Sequence, residues 1–181
     1  MSVSSIDGCV RQSPDKEEAP GIEQEAYGGR QMKFCGTLIV VTDLEQSKAF
    51  YKEHLDLDVE VDFGANVTLT GGISLQTLKT WQGFIGGLDV TFRGNDAELY
   101  YETDNFDDFI ENIDGVELVH PPFEHSWGQR VVRFYDPDGH IIEVGENLNK
   151  VVQRFRGSGM TTPEIAVRMD VDEKYVQEWL E

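Results

Sequence analysis

The feature that most constrains this chain is an internal repeat in its middle. Residues 34–41 form an apolar, β-branched run that ends at Thr42-Asp43, and a segment with apolar residues at helical spacing follows. The same succession recurs 61 positions along the chain, where residues 97–102 end at Thr103-Asp104 and a second helical stripe begins. Three strand-like runs follow in each copy, separated by glycine turns or by an Asp-Pro-Asp-Gly turn. Each copy therefore predicts a β-α-β-β-β module.

The repeat also predicts the domain organisation. A single module of this kind leaves one face of its sheet uncovered, so two modules are expected to pair. We place them at residues 32–79 and 96–147 of an α+β domain that spans 32–148, with a linker at 79–95. The sequence leaves open whether the halves pair within one chain or between two chains.

The C-terminal residues 149–181 predict a helical extension with a helix-turn-helix pattern. Thr161 or Thr162 is in position to cap its second helix, and Pro163 suits the first turn. The last helix, at residues 172–181, carries four acidic residues against one lysine, whereas a DNA-reading helix presents Arg, Lys, Asn or Gln. We therefore expect the extension to pack on the core or on a sister subunit rather than to read DNA.

Charge and composition restrict the classes of partner and the cell compartment that we expect for this protein. The formal net charge is −19, and an acidic surface repels nucleic-acid backbones. No apolar run approaches the roughly 20 residues of a membrane span, and the N-terminus lacks a secretory apolar region, so we expect a cytoplasmic protein. Residues 1–31 have low-complexity, polar composition and are expected to be disordered, or untranslated if synthesis begins at Met32.

Two stretches carry a resemblance to a known family. "VVTDLEQSKAFYKEHLDL" in the first half and "WGQRVVRFYDPDGHIIEVGE" in the second resemble the vicinal oxygen chelate superfamily, which contains glyoxalases, bleomycin-resistance proteins and extradiol dioxygenases. The resemblance covers residues 32–147. It implies a bacterial protein that binds a small molecule in a cleft between its two halves and that assembles as a homodimer. The superfamily supports many chemistries, so the fold alone does not give the function.

The resemblance also implies a metal site. Metal-dependent relatives place one ligand on the first and last strand of each half, and these positions match Gly36, Gln76, Glu98 and Glu143. Gly36 has no side chain, and Glu98 stands where the family usually has histidine, which argues against glyoxalase I itself. Two carboxylates and an amide are hard oxygen donors that suit Mg²⁺ or Mn²⁺ better than Ni²⁺ or Zn²⁺. Glu98 and Glu143 are also the candidate catalytic proton acceptors.

Strand alternation and the segment 120–130 add candidates for ligand binding. Glu98, Tyr100 and Glu102 share one face of their strand. Pro121-Pro122 predicts an interruption of strand pairing, and hence a loop or a sheet edge at the mouth of the cleft. In this loop Trp127 could stack on a ligand, His125 could move a proton and Arg130 could hold an anionic group, although each also suits a purely structural role. Arg133 suits the cleft and its rim equally.

Three functions follow from these patterns. The first is a lyase or isomerase that uses a divalent metal held by Gln76, Glu98 and Glu143. The second is a metal-free protein that binds a small molecule, such as a drug or antibiotic, with Tyr100 and Trp127. The third is a ligand-sensing regulator that acts through the C-terminal helices.

Overall fold

The computed structural model describes residues 33–181, so the predicted disorder or non-translation of residues 1–31 falls outside the described part. The first β-α-β-β-β module forms a four-stranded sheet in the order β1-β4-β3-β2, and the second forms a sheet in the equivalent order β5-β8-β7-β6. In each sheet the first and last strands of the module are parallel neighbours, and the other pairs are antiparallel. The strands are β1 Thr37–Val41, β2 Val59–Asp62, β3 Asn66–Leu69, β4 Ile73–Thr77, β5 Glu98–Thr103, β6 Glu117–Glu124, β7 Arg130–Tyr135 and β8 Ile141–Glu146.

Each module contributes one helix after its first strand, as the repeat predicts. These are α1 (Leu44–Leu55) and α3 (Phe106–Asn112). The Asp43 carboxylate accepts a hydrogen bond of 3.0 Å from the backbone N–H of Gln46, which satisfies one of the unpaired donors at the start of α1. The predicted α+β fold of two such modules is therefore confirmed.

Two local features go beyond the predicted organisation. A helix, α2 (Leu78–Phe84), occupies the start of the expected linker and follows β4 directly. The segment with Pro121-Pro122 belongs to the strand β6, which runs to Glu124, so of the two predicted alternatives it is an edge strand and not a loop. At the edge a proline's missing N–H need not cost a ladder hydrogen bond, and the pairing of β6 with β7 shifts in register on either side of His120, as the prolines predict.

The two sheets share one hydrophobic core on the sides that carry their helices. Buried side chains from both modules join in it, and Phe134 of β7 lies 6.3 Å from the rings of both Phe50 in α1 and Phe109 in α3. Because the helix sides of both sheets face this core, the opposite sides lie on the outside of the two-module unit. We call them the first open face, formed by Leu38, Val40, Asn66, Thr68, Ser74 and Gln76, and the second open face, formed by Glu98, Tyr100, Glu102, Arg133, Tyr135, Ile141, Glu143 and Gly145.

A polar clamp joins the modules beside this core. The Tyr51 hydroxyl donates a 2.9 Å hydrogen bond to Asp136, and Asp138 accepts from the backbone N–H and hydroxyl of Thr42 at 3.1 and 2.6 Å. Burial pushes the pKa of Asp136 upward, but hydrogen bonds from His140 and Tyr51 outweigh it and hold the pKa below its usual value. The Asp-Pro-Asp-Gly turn therefore fixes the second module to the first through charge-assisted hydrogen bonds.

The C-terminal residues form the predicted helices around a second small core. Helices α4 (Leu148–Gly157), α5 (Thr162–Met169) and α6 (Glu173–Glu178) bury Val152, Phe155, Ile165 and Val176 among others. Thr161 caps α5, and the Glu164 carboxylate accepts from its backbone N–H at 2.7 Å. Within residues 33–181, no helix has the length and apolar character needed to cross a membrane.

Replacing Tyr51 by Phe tests the clamp. The variant loses a buried hydrogen bond to a carboxylate, and we expect it to unfold with about 2 kcal/mol less free energy at pH 7. The folded-state pKa of Asp136 is lowered, so its contribution is present above the unfolded pKa and is lost as the pH falls through the folded value. The deficit should therefore shrink in acid. Chemical denaturation across pH measures it, with Tyr175→Phe on the surface as the control; a deficit that is constant with pH would contradict this account.

Candidate functional site

A row of four polar side chains crosses the second open face. Strand register places Tyr100 beside Glu143, Glu143 beside Arg133, and Arg133 beside His120, on four neighbouring strands. Side chains that are directly opposite on one face of a sheet lie close enough to interact. The sheet itself therefore assembles this row from residues that are far apart in the sequence.

At the centre of the row, the Arg133 guanidinium lies between two carboxylates. Its Nε donates a 2.8 Å hydrogen bond to Glu98, and its Nη2 contacts Oε2 of Glu143. Glu143 is only 5% exposed, and its Oε2 has no hydrogen-bond partner besides this ion pair. A buried carboxylate without a counter-charge is strongly unfavourable, so Arg133 is what permits Glu143 to be charged at this position.

Next to this ion pair, Tyr100 and Gln129 form a hydrogen-bonded pair at the surface of the sheet. The Tyr100 hydroxyl donates to Glu102 at 2.7 Å and accepts from the Gln129 amide at 2.8 Å. Burial, with the Glu102 hydrogen bond, raises the pKa of Tyr100 to about 12. Gly145 lies beneath, where a Cβ would come within 2.9 Å of the Gln129 amide nitrogen and 3.3 Å of the Tyr100 ring. The glycine thus leaves room for both side chains.

Aromatic rings line the side of the row near β6. The His125 and Trp127 rings stack with centroids 3.9 Å apart, and Phe123 meets His125 edge-on at 4.7 Å. Burial, followed by the nearby Arg133 guanidinium, lowers the pKa of His125. His125 is therefore neutral at pH 7 and can act as a hydrogen-bond acceptor.

The four positions matched to metal ligands do not form a metal site. Glu98 and Glu143 are paired with Arg133, and the Gln76 amide is satisfied by Asn66 and by the carbonyl of Ala65, at 3.1 and 2.8 Å. Any side chain at position 36 would bring its Cβ within 2.5 Å of the Gly72 carbonyl oxygen. No group of three or more His, Cys, Asp or Glu side chains among residues 33–181 is arranged to hold a metal ion. The residues present therefore do not fit a divalent cation.

The structure places the expected site residues in three different locations. Five of them lie together on or beside the second open face, namely Tyr100, Glu98, Glu143, His125 and Trp127. Gln76 lies on the first open face. Arg130 projects to the helix side of its sheet, where it pairs with Glu146 and Asp107 at 3.0 and 2.6 Å and covers the Phe106 ring, so we leave it out of the site.

Sequence reasoning missed the importance of Arg133, His120 and Gln129. Arg133 occupies the position three residues after Arg130 and hence the opposite face of β7. That alternation was available in the sequence, but its two carboxylate partners come from β5 and β8 and become neighbours only through the strand register.

Comparison with known proteins identifies the family. A family model described as a glyoxalase-like domain matches residues 34–149, which is more than half of the chain. The protein therefore belongs to the glyoxalase-like domain family, in agreement with the predicted superfamily. No curated protein matches the chain.

Solved structures support the same fold. A protein of unknown function from Agrobacterium tumefaciens is 36% identical, with a TM-score of 0.60, over 66% of this chain and 98% of its own. A glyoxalase-related enzyme from Fulvimarina pelagi is 21% identical with a TM-score of 0.56, over 65% of this chain and 90% of its own. A glyoxalase/bleomycin resistance protein/dioxygenase from Nocardioides is 19% identical with a TM-score of 0.53, over 66% and 86%. At these identities the last two show the fold alone.

Replacing Arg133 by Met tests the central ion pair. The variant leaves the Glu143 carboxylate buried and unpaired, and we expect a loss of about 3 kcal/mol in the free energy of unfolding at pH 7. Part of the loss should return in the double variant with Glu143→Gln, which removes the unpaired charge. Arg156→Met, at an exposed arginine, is the control. A single-variant loss as small as the control's would show that the guanidinium does not stabilise Glu143.

Proposed function

We propose that this protein binds a small organic molecule on its second open face without the help of a metal ion. The observation that carries the proposal is the Arg133 guanidinium, which pairs with both carboxylates that metal-dependent relatives would offer to a cation. A fixed internal cation removes the electrostatic reason for a divalent ion to bind there. The metal-free alternative is thus favoured over the metal-dependent lyase or isomerase.

The same pairing speaks against catalysis by these carboxylates. A general base needs a free lone pair near the proton that it removes. Glu98 accepts a hydrogen bond from Arg133, and Glu143 forms an ion pair with the same guanidinium and is buried as well. Both are therefore better suited to orient the arginine than to abstract a proton.

The chemistry of the face favours a neutral or cationic ligand with a flat apolar surface. Three carboxylates, those of Glu98, Glu102 and Glu143, stand against one guanidinium, so the local charge is negative when His125 is neutral. Tyr100 is 49% exposed and offers its ring for stacking or for a cation–π contact, and Trp127 offers a second ring. An anionic ligand would meet repulsion from the same carboxylates.

A second copy of this chain is the partner that would close the site. Within one chain the two open faces point away from the shared core, so neither can cover the other. The first open face carries only apolar, hydroxyl and amide side chains on β1, β3 and β4, which suits contact with the charged second face of another acidic chain. Exposed apolar residues on the first module and on α2 just after it, including Phe63 at 77% and Phe84 at 69%, add surface that a partner would bury. We therefore propose a homodimer with a cleft between unlike modules.

The absence of metal dependence can be tested directly. Protein treated with a chelator should unfold at the same temperature with and without excess Mn²⁺, Mg²⁺, Ni²⁺ or Zn²⁺. A site that is filled to 100 times its dissociation constant would add about 2.7 kcal/mol of stability, which is easily detected. Arg133→Ala serves as the comparison, since it frees Glu98 and Glu143. Saturable, one-to-one stabilisation of the unaltered protein by any of these ions would overturn the metal-free proposal.

The shared cleft is tested by a charge on the first open face. Ser74→Glu leaves every residue of the second open face unchanged but places a carboxylate opposite the acidic second face of the partner, and we expect it to convert a dimer into a monomer in light scattering after size exclusion. Cationic aromatic compounds that stabilise the unaltered protein in a thermal-shift screen should lose at least about tenfold in affinity for this variant, because half of the cleft is absent. Lys79→Arg, on α2, is the matched control. A monomeric unaltered protein, or a monomeric variant with full affinity, would contradict the two-chain cleft.

A further inference from the structure

The loop that carries His125 and Trp127 is a tight turn held at its tip by groups from outside. The backbone N–H of His125 donates to the Gln129 carbonyl, and that of Gly128 donates to the His125 carbonyl, both at 2.8 Å. Gly128 has φ +97°, in the region that favours glycine. Only two internal backbone bonds fix this turn, so its position depends on what it touches.

The first external contact comes from helix α4, which lies beyond almost all of the residues that match the family. Arg154 donates to the Gly128 carbonyl at 2.5 Å and pairs with Glu146 and Glu124 at 2.9 and 3.3 Å. The Phe155 ring lies directly against Gly128, so that even a methyl group at this position would collide with it. Helix α4 therefore contacts the tip of the loop through the side chains of Arg154 and Phe155.

The second contact joins the loop to the open face. The Gln129 amide donates to the Tyr100 hydroxyl at 2.8 Å and to the backbone carbonyl of Glu146 at 3.0 Å. The Glu146 carboxylate, 3% exposed, accepts from both Arg130 and Arg154. Burial raises the pKa of Glu146, but the two arginines outweigh this and hold it below the usual value. A continuous series of hydrogen bonds and ion pairs therefore connects Tyr100 on the second open face to Arg154 of α4, through Gln129 and Glu146.

We infer that the C-terminal helices α4, α5 and α6 position the loop that carries His125 and Trp127. Ordering of these three helices and binding of a ligand on the second open face are then coupled. The family domain ends at residue 149, and the Agrobacterium structure is matched over 98% of its length by 66% of this chain. Helices α5 and α6 therefore lie outside the shared domain. They pack on Phe155 of α4 in the second core, and Arg168 of α5 pairs with Glu124 beside the loop at 3.5 Å. Coupling of this kind is reciprocal, since each event stabilises the other by the same free energy.

The positioning part of the inference is tested without any ligand. In a Trp81→Phe/Trp179→Phe background, Trp127 is the remaining tryptophan and its fluorescence reports on the loop. Arg154→Ala removes the bonds to Gly128 and Glu146, and we expect acrylamide to quench Trp127 about twofold more strongly and amide exchange in residues 125–130 to quicken about tenfold. Arg156→Ala, at an exposed arginine of the same helix whose side chain bonds only to the Met160 carbonyl, should change both by much less. Trp127 quenching and loop exchange that match the parent protein in Arg154→Ala would overturn the inference.

A second variant approaches the coupling from the opposite end. Gln129→Ala leaves α4 intact but cuts the link between Tyr100 and Glu146, and we expect faster amide exchange in Leu148–Gly157 although no side chain of that helix is changed. Unaltered exchange in α4 would overturn the coupling even if Arg154→Ala fails to fold. The extension of this coupling to ligand affinity rests on the proposed function. If no compound binds the parent protein, the proposed function fails, whereas the exchange and quenching results still decide the positioning role.

Discussion

The ion pair between Arg133 and Glu143 is the interaction on which the second open face depends. A carboxylate that is 5% exposed can remain charged only beside a positive group, and the guanidinium supplies that group at a fixed distance from the sheet. Arg133 also holds Glu98, so that one side chain organises residues from three strands. In relatives that use a metal, the ion would perform this task. Here the positive charge that pairs with these carboxylates is part of the chain.

The position of the core explains why this face is accessible. Both sheets turn their helix sides toward the same buried cluster, and the clamp between Tyr51 and Asp136 locks that arrangement. Parts of both open faces therefore stay exposed within the chain, including Leu38 at 39% and Tyr100 at 49%. An acidic chain gains most from pairing an uncharged face with a charged one, because two charged faces of the same sign would repel. The packing of the core thus leads directly to the proposal of a cleft shared by two copies.

The sequence predicted the fold well, because the repeat, the turn residues and the Asp43 cap are all local signals. It predicted the β-α-β-β-β modules and the helical pattern near Thr161, and it placed Tyr100 with Glu98 by simple alternation. It did not predict helix α2, and it left open whether Pro121-Pro122 lies in a loop or in an edge strand, because both depend on position in the sheet rather than on local preference.

The centre of the site depended even more on tertiary structure. The pairing of Arg133 with Glu143 follows from the register of β7 and β8, and the collision that excludes a side chain at Gly36 follows from the approach of Gly72. Neither can be read from spacing along the chain. The hydrogen bond from Arg154 to the Gly128 carbonyl also cannot be read from spacing, since it joins a helix outside the family domain to a loop within it.

The most direct test of the account is the nuclear magnetic resonance signal of the Arg133 guanidinium, assigned by its loss in Arg133→Lys. If the guanidinium is fixed between Glu98 and Glu143, its Nη protons should give separate, slowly exchanging resonances, because rotation about the Nε–Cζ bond would break an ion pair. Excess Mn²⁺ should leave these resonances sharp. Averaged signals in the metal-free protein, or selective paramagnetic broadening of Arg133 by Mn²⁺, would contradict the claim that the arginine is the resident cation of this site.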